Sequence, residues 1–365
     1  MKIMLFIPTV GAGGAERVVS LMANYWVKKG YDIVVLSLDN PNNEPFFRLH
    51  KNVNYEPLGL LREKRGYLGK VKRTISQIIT TRKRVHQIQP DVIIAQLDIA
   101  IFLAMTSTIY SKIKAIVYEG NNPYLNITNK YLQKVNNFLY RFTDHLVLQT
   151  QQIAKTFPSY LQDKISVIYN PVTTPPYQLN HEDCLRNLQR KKITCVGRLE
   201  HQKGYDVLIR AFHLFSQHHP DWSLEIWGEG RERSKLEQLC EEKGISDRVL
   251  LPGNIKNPYD QLLKSSVFVL SSRFEGLPNV LLEAMSVGMP VIATRCKFGP
   301  EEIIQHRQNG LLVPTEDAEA IADALVVLAD DPKLCKQLGQ NARKINNKLH
   351  VDKIMEQWED VINSL

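Results

Sequence analysis

Short apolar runs alternate along this chain with longer stretches of helical periodicity. KIMLFIP (2–8) is apolar and ends before a group of glycines. Residues 15–29 then place Val18, Leu21, Met22 and Tyr25 at helical spacing, and DIVVLSL (32–38) is a second apolar run. Apolar runs without alternation suit a parallel sheet covered on both faces, so this opening predicts a β-α-β unit. DVIIAQ, AIVYEG and HLVLQT read as further strands. Near residue 170 the pattern breaks into YNPVTTPPYQLNHED, rich in Pro, Thr and Asn as a linker would be. The alternation then restarts: KITCVGRL, SLEIWGEG, RVLLPG, VFVLSS and PVIAT are predicted strands, with helices over 204–218, 231–243, 257–264 and 279–287.

The prediction is an α/β chain of two doubly wound, Rossmann-like domains. The N-terminal domain covers 1–172, a linker 173–190 and the C-terminal domain 191–345, with a last helix over 346–365 packing back on the first domain. Such sheets bind ligands beyond the carboxyl ends of their strands, so a cleft between the domains is the expected site.

Charge changes the picture at one place. The net charge is +8, and residues 62–84 hold nine basic residues and one acid, which leaves the rest of the chain balanced. Within this window Leu68, Val71, Ile75, Ile78 and Ile79 fall on one helical face beside Lys70, Lys72 and Arg73. A basic amphipathic helix of this kind suits an anionic membrane surface, and a core-packed helix with a solvated basic face is the plainer alternative. Nucleic acid is not expected, because no aromatic-rich motif accompanies the charge. The five cysteines, at 184, 195, 240, 296 and 335, form no C-x-x-C pair, which argues against a disulfide framework or a cysteine zinc site. The N-terminus lacks a signal-peptide core, and IAIFLAMTSTIY is too short to span a bilayer. The expected location is cytoplasmic, peripherally associated with the inner face of the membrane.

Four strand-end motifs carry candidate chemistry. GAGGAER (11–17) follows the first strand and opens a helix, where glycines would let amides approach a phosphate. A dinucleotide fingerprint fails there, because its third glycine position is Glu16. VGRLEHQKG (196–204) places Arg198 and Lys203 where two cations could clamp a diphosphate, or simply be solvated. WGEGRE (227–232) reads as a structural turn. RFEGLPNVLLE (273–283) places Glu275 on a loop and Glu283 in the following helix, with Pro278 expected in its first turn. Amides around Leu277 to Val280 would form a helix N-terminus open to an anion, and carboxylates suit sugar and ribose hydroxyls. The bland alternative is a capped helix with two solvated acids.

Together with the tail CKFGPEEIIQHRQNGLLVP, these motifs resemble the retaining GT-B glycosyltransferases of family 4, over nearly the whole chain and most like bacterial enzymes that extend surface or lipid-linked glycans. The resemblance implies a hexose or N-acetylhexosamine moved from a nucleotide diphosphate sugar, UDP-linked, to a lipid-linked or cell-surface glycan. It assigns Arg198 and Lys203 to the donor diphosphate, Glu275 to the transferred sugar and Glu283 to the ribose. Gly13 and Gly14 would shape the loop near the phosphates, and Gly276, Leu277, Pro278, Asn279 and Val280 the phosphate cradle. Many relatives carry a histidine where this chain has Gly120, in VYEGNNP. Glu119 and Asn121 are then the candidates for the acceptor or sugar side. No D-x-D is present, so no metal or cofactor is expected. Competing readings are a glycoside hydrolase, a nucleotide-sugar epimerase on the same plan, and a non-catalytic nucleotide-sugar-binding protein at the membrane.

Overall fold

The computed structural model describes residues 1–61, 67–120, 130–172 and 188–365. The expected linker falls largely on 173–187, outside the described residues, and so does Asn121. The chain divides into two compact units, Met1–Asn170 with Asp352–Leu365, and Pro171–Val351.

The first unit is built on a parallel sheet of seven described strands in the order β3-β2-β1-β4-β5-β6-β7. They are β1 Lys2–Ile7, β2 Asp32–Ser37, β3 Asn54–Pro57, β4 Val92–Gln96, β5 Lys114–Glu119, β6 His145–Leu148 and β7 Ile165–Val167. Strands β3 and β7 escaped the sequence pattern: they are short edge strands of mostly half-buried residues, without an apolar run. Helix α1, Gly14–Lys28, joins β1 to β2. Its core face is Val18, Val19, Met22, Ala23 and Trp26; Leu21 and Tyr25, expected inside, lie half-buried at its margin. Helices α2 (Tyr67–Ile88), α3 (Asp98–Thr108) and α4 (Lys130–Leu139) connect β3 to β4, β4 to β5 and β5 to β6. All three step through the sheet in one direction, so right-handed crossovers place them on one face and α1 on the other. Helix α3 packs against both α2 and α4.

Helix α2 is inside out relative to its apolar stripe. Gln77, Thr81 and Val85 are buried, and Gln77 donates its amide to the Leu60 carbonyl (3.2 Å). Val71, Ile75 and Ile79 are exposed, Ile79 at 62%. Ile78 is half-buried. The side chains of Leu68 and Lys70 are outside the described ones.

The C-terminal helix, Val351–Asn363, belongs to the first unit. Trp358 is fully buried there, edge-on to Trp26 (6.4 Å between centroids) and to Tyr118 (5.0 Å). Lys29 pairs with Glu359 at 2.9 Å.

The second unit has a parallel sheet of six described strands, order β10-β9-β8-β11-β12-β13: β8 Lys192–Val196, β9 Ser223–Trp227, β10 Val249–Gly253, β11 Val267–Leu270, β12 Val291–Thr294 and β13 Leu311–Val313. Ile193, Leu224, Ile226, Val267 and Ile292 fill its core with Leu208, Phe212 and Phe215 of helix α5, Tyr205–His218. Helix α6, Asn279–Ser286, follows β11. In each sheet the strand order reverses beside the first strand, between β1 and β4 and between β8 and β11. These reversals are the crevices where doubly wound sheets take ligands.

Deleting a fully buried tryptophan typically costs about 3–5 kcal/mol. Trp358→Ala is therefore expected to destabilise the first unit by that amount in denaturant unfolding; a loss below about 1 kcal/mol would separate the C-terminal helix from its core.

Candidate active site at the second switch point

The two loops that flank the β8/β11 reversal carry Arg198 and Lys203 on one side and Glu275 on the other. They are fastened to each other by backbone contacts. Gly204 lies in the left-handed region (φ 63°), and a side chain there would collide with the Ser271 carbonyl. Only glycine accepts both constraints at no cost. Ser271 Oγ donates to the Lys203 carbonyl (2.8 Å), the Arg273 amide to the Gln202 carbonyl (2.8 Å), and Gln202 Nε2 to the Phe274 carbonyl (2.9 Å).

Arg273 completes this fastening. Its guanidinium forks onto both Asp206 carboxylate oxygens (2.8 and 2.9 Å), donates to the His201 carbonyl (2.7 Å) and pairs with Glu316. Burial would raise the Asp206 carboxyl, but the hydrogen bonds and charge of Arg273 outweigh it, and the net shift is downward. The guanidinium is correspondingly held charged by Asp206 and Glu316. No role for this arginine emerged from the sequence, because its carboxylate partners lie 67 and 43 residues away.

Within this frame Lys203 and Glu275 form a salt bridge, Nζ to Oε1 at 2.6 Å, with side chains only 15% and 7% exposed. Ser272 Oγ donates to the same carboxylate oxygen at 2.6 Å. Gly197 provides the room: a Cβ there would meet the Tyr205 hydroxyl at 2.7 Å and Lys203 Cε at 3.1 Å. Tyr205 is buried beside this pair, and burial, Cys195 and Glu275 push its phenol well above the usual range. Burial and the Glu275 charge likewise push the Cys296 thiol up to about 12. Neither group ionises near neutral pH. Arg198, by contrast, is exposed. The expected pair of cations is thus one exposed arginine and one lysine already bound to an acid.

Glu283 is buried too, 7% exposed, so neither acid of the 273–283 motif is a solvated surface charge. Pro278 stands at the N-cap of α6 in extended conformation (ψ 105°), one position before the expected first turn, and its own ring offers no capping hydrogen bond. The Pro278 carbonyl accepts from Leu281 (3.1 Å) and Leu282 (3.3 Å). Gly276, Leu277 and Pro278 are buried, and Asn279 and Val280 half-buried. Gly299 packs on the Gly276 carbonyl so tightly that a side chain there would collide, which fixes the loop from behind. The result is a helix whose N-cap stands three residues after a carboxylate paired with a buried ammonium, with a second buried carboxylate, Glu283, within the helix itself. Helix N-termini suit anions, and carboxylates suit hydroxyl groups.

The first unit contributes a different pattern. Gly13 is the N-cap of α1, and a side chain there would run into the Glu16 carboxylate. Glu16 accepts from Thr9 Oγ1 (3.0 Å), so an acid of the chain itself lies at the helix start that Gly13 and Gly14 were expected to offer to phosphate. Asp39 is buried and accepts from the Val10 amide (2.8 Å), a role in fixing this loop. Glu119, at the end of β5, is 3% exposed and accepts from the Tyr140 hydroxyl (3.1 Å). Burial first, and then Glu119 and Asp98, raise that phenol. Asp98 opens α3 at the end of β4, and burial raises its carboxyl. The sequence reading passed over it. The space beside Gly120 is occupied by Gln149, whose Nε2 lies 2.6 Å from where a Cβ would be. A side chain at 120 would displace that amide. Among the described residues no group of three or more His, Cys, Asp or Glu is placed to hold a metal ion.

Residues 12–174 match the model of Glycosyltransferase Family 4, and residues 177–345 that of Glycosyl transferases group 1. The chain belongs to the family 4 glycosyltransferases. It is 29% identical over 99% of both chains to an uncharacterized glycosyltransferase of Haemophilus influenzae. It is 26% identical, over 99% of its length and 98% of the relative's, to a Campylobacter jejuni α-1,4-N-acetyl-D-galactosaminyltransferase acting on a GalNAc-containing diphospho-undecaprenol glycan. Anabaena HepE, solved with UDP-glucose, superposes with a TM-score of 0.84 at 19% identity, covering all of both chains. That likeness shows the GT-B fold: two parallel-sheet, Rossmann-like domains.

Two outcomes follow from the geometry of this glycosyltransferase. Breaking a buried ion pair on one side leaves an uncompensated charge and costs about 3–5 kcal/mol. Lys203→Met is expected to destabilise the second unit by that order, and Lys203→Met with Glu275→Gln to recover most of it; simple additivity in a denaturation double-mutant cycle would remove the coupling. Removing Arg273, which makes several charge-assisted bonds, should cost about 1.5–3 kcal/mol at neutral pH. Because the folded Asp206 carboxyl is depressed, its share of that stability is present above the unfolded value of about 3.9 and lost as pH falls through the lower folded value. The gap between wild type and Arg273→Ala should therefore narrow in acid; a gap that widens below pH of about 3.9 would contradict this.

Proposed function

We propose that this glycosyltransferase is a retaining, metal-independent enzyme that moves a hexose or N-acetylhexosamine from a UDP-sugar to a lipid-linked or cell-surface glycan. One observation carries the reading: the buried Lys203–Glu275 pair on the two loops at the β8/β11 reversal, with Arg198 on the lysine's loop and the N-cap of α6 three residues after Glu275. A departing nucleoside diphosphate gains negative charge as the sugar bond breaks. Preorganised cations and helix amides stabilise that charge in a low-dielectric site, the task a divalent ion performs in other transferases. Lys203 is held in place by Glu275 before the donor arrives. When the diphosphate takes its share of the ammonium, the Glu275 carboxylate turns part of its hydrogen-bonding capacity to the hydroxyls of the sugar. Glu283 accepts from the ribose diol. Gly13 and Gly14 approach the phosphates once Glu16 has swung aside, and Glu119 lies on the acceptor side. The UDP-glucose in the HepE structure and the diphospho-undecaprenol glycan in the name of the Campylobacter relative support the donor and acceptor classes. Lys70, Lys72 and Arg73 draw the basic window 62–84 to the inner, anionic face of the membrane, where a lipid-linked acceptor resides. Lys72 is exposed and Arg73 half-buried, so Lys72 makes the larger contribution.

A panel of nucleotide sugars, scored for released nucleoside diphosphate and for a glycosylated lipid-linked acceptor, tests the reading. Transfer from a UDP-sugar with the donor's anomeric configuration kept is expected. Conversion of the donor to its epimer without release of UDP would replace it with the epimerase alternative.

Transfer is expected to persist in EDTA, and Arg198→Ala to lower turnover roughly a hundred- to thousand-fold, the usual cost of one preorganised donor to a developing anion. Activity abolished by EDTA and restored by Mg²⁺ or Mn²⁺ would assign the diphosphate to a metal instead.

A further inference from the structure

The first unit shows a second surface, made of residues to which the proposed transfer reaction assigns no role. Helix α4 turns Tyr131, Val135 and Phe138 outward, at positions i, i+4 and i+7, and the 3₁₀ turn Tyr140–Phe142 adds Phe142 at i+11. Tyr131 is 85% exposed and Phe138 56%. Exposed large apolar side chains scattered singly are ordinary, but a stripe along one helix face is not. At its end Phe138 and Phe142 stack edge to face (5.5 Å), and the Arg141 guanidinium lies over Phe138 (5.9 Å) and over exposed Tyr160 (4.8 Å). Two helices away on the same face of the sheet, α2 exposes Val71, Ile75 and Ile79.

Charge identifies the occupant. The sequences of α2 and α4 hold Lys70, Lys72, Arg73, Arg82, Lys83, Arg84, Lys130 and Lys134 and no Asp or Glu. Of these, Arg84 is committed to Glu56 (2.6 Å) and Arg82 to the Thr106 carbonyl (3.0 Å). Lys72, Lys83 and Lys134 are exposed. Apolar and aromatic side chains rimmed by arginine and lysine match the boundary between headgroups and acyl chains, where aromatic rings and basic residues concentrate.

We propose that Tyr131, Val135, Phe138 and Phe142 insert into an anionic bilayer, so that α4 supplies the apolar anchorage while α2 supplies the electrostatic attraction. This deepens, and rests on, the membrane-bound acceptor proposed above. The two contributions differ in their response to salt. Attraction through α2 is screened within a Debye length of about 8 Å at physiological ionic strength, whereas insertion of α4 persists.

Full-length protein is sedimented with vesicles of phosphatidylglycerol and phosphatidylcholine at low and high salt. Wild type should retain a salt-resistant bound fraction. Phe138→Ser with Phe142→Ser should lower partitioning about tenfold or more at high salt, the effect of keeping two rings in water. Lys72→Glu with Lys83→Glu should weaken binding mainly at low salt. The conservative Phe142→Trp supplies a readout independent of folding losses: quenching of its added emission by bromolipid vesicles is expected. Wild-type sedimentation by the Ser double variant, or an added emission in Phe142→Trp that bromolipid leaves unquenched, overturns the proposal. So does a lipid-free dimer that the Ser variant dissociates, since the stripe would then bind a second copy. Release of UDP from donor, measured without vesicles, is expected to be the same in wild type and the Ser variant. Donor turnover without vesicle binding would sink this inference alone, and vesicle binding without turnover would sink the enzymatic reading alone.

Discussion

The salt bridge between Lys203 and Glu275 joins the two loops at the β8/β11 reversal, and the site depends on it. An ammonium and a carboxylate removed from water tolerate burial only when paired and hydrogen-bonded. Ser272 supplies the extra hydrogen bond, and Gly197 the space for the lysine stem. Each loop is in turn held by the other: Gly204 and Ser271 touch through backbone, and Arg273 spans from one loop to Asp206 and His201 on the other. The lysine is thus positioned before any donor arrives. Electrostatic catalysis needs that, because a charge that must reorganise during the reaction loses much of its benefit.

The two units treat their carboxylates differently. In the second unit the buried Glu275 faces the Lys203 ammonium. In the first, Glu119 is tied to Tyr140, Asp39 to the Val10 amide, and Glu16 lies at the start of α1. This contrast underlies the proposal that the second unit holds the diphosphate and that Glu119 of the first meets hydroxyl groups.

Strand identity was legible wherever a strand is buried on both faces, as in β1, β4 and β11, whose apolar runs have no other use. Edge strands β3 and β7 were not, since half-exposed residues carry no run. Helix α2 shows why periodicity alone misleads. Its apolar stripe gives the spacing of a core face, but the residues that pack inward are Gln77, Thr81 and Val85. Spacing marks which residues share a face and not which way that face turns. In the site, Arg198, Lys203, Glu275 and Glu283 were legible because strand ends and glycine turns mark them locally. The pairing of Lys203 with Glu275 and the fastening by Arg273 were not, since their partners lie 72 and 67 residues apart. Gly120 was recognised as a departure from the family pattern; its physical counterpart, Gln149 filling the space, became visible only in three dimensions.

Lys203, preorganised by Glu275, and Arg198 are together proposed to bind a diphosphate, and everything said of the donor rests on that. Calorimetric titration of UDP and of uridine into wild type and into Lys203→Met with Arg198→Met tests it most directly. Wild type should bind UDP far more tightly than uridine, and the double variant should bind the two with nearly equal affinity. An undiminished preference for UDP in the double variant would contradict the claim and place the diphosphate elsewhere in the molecule.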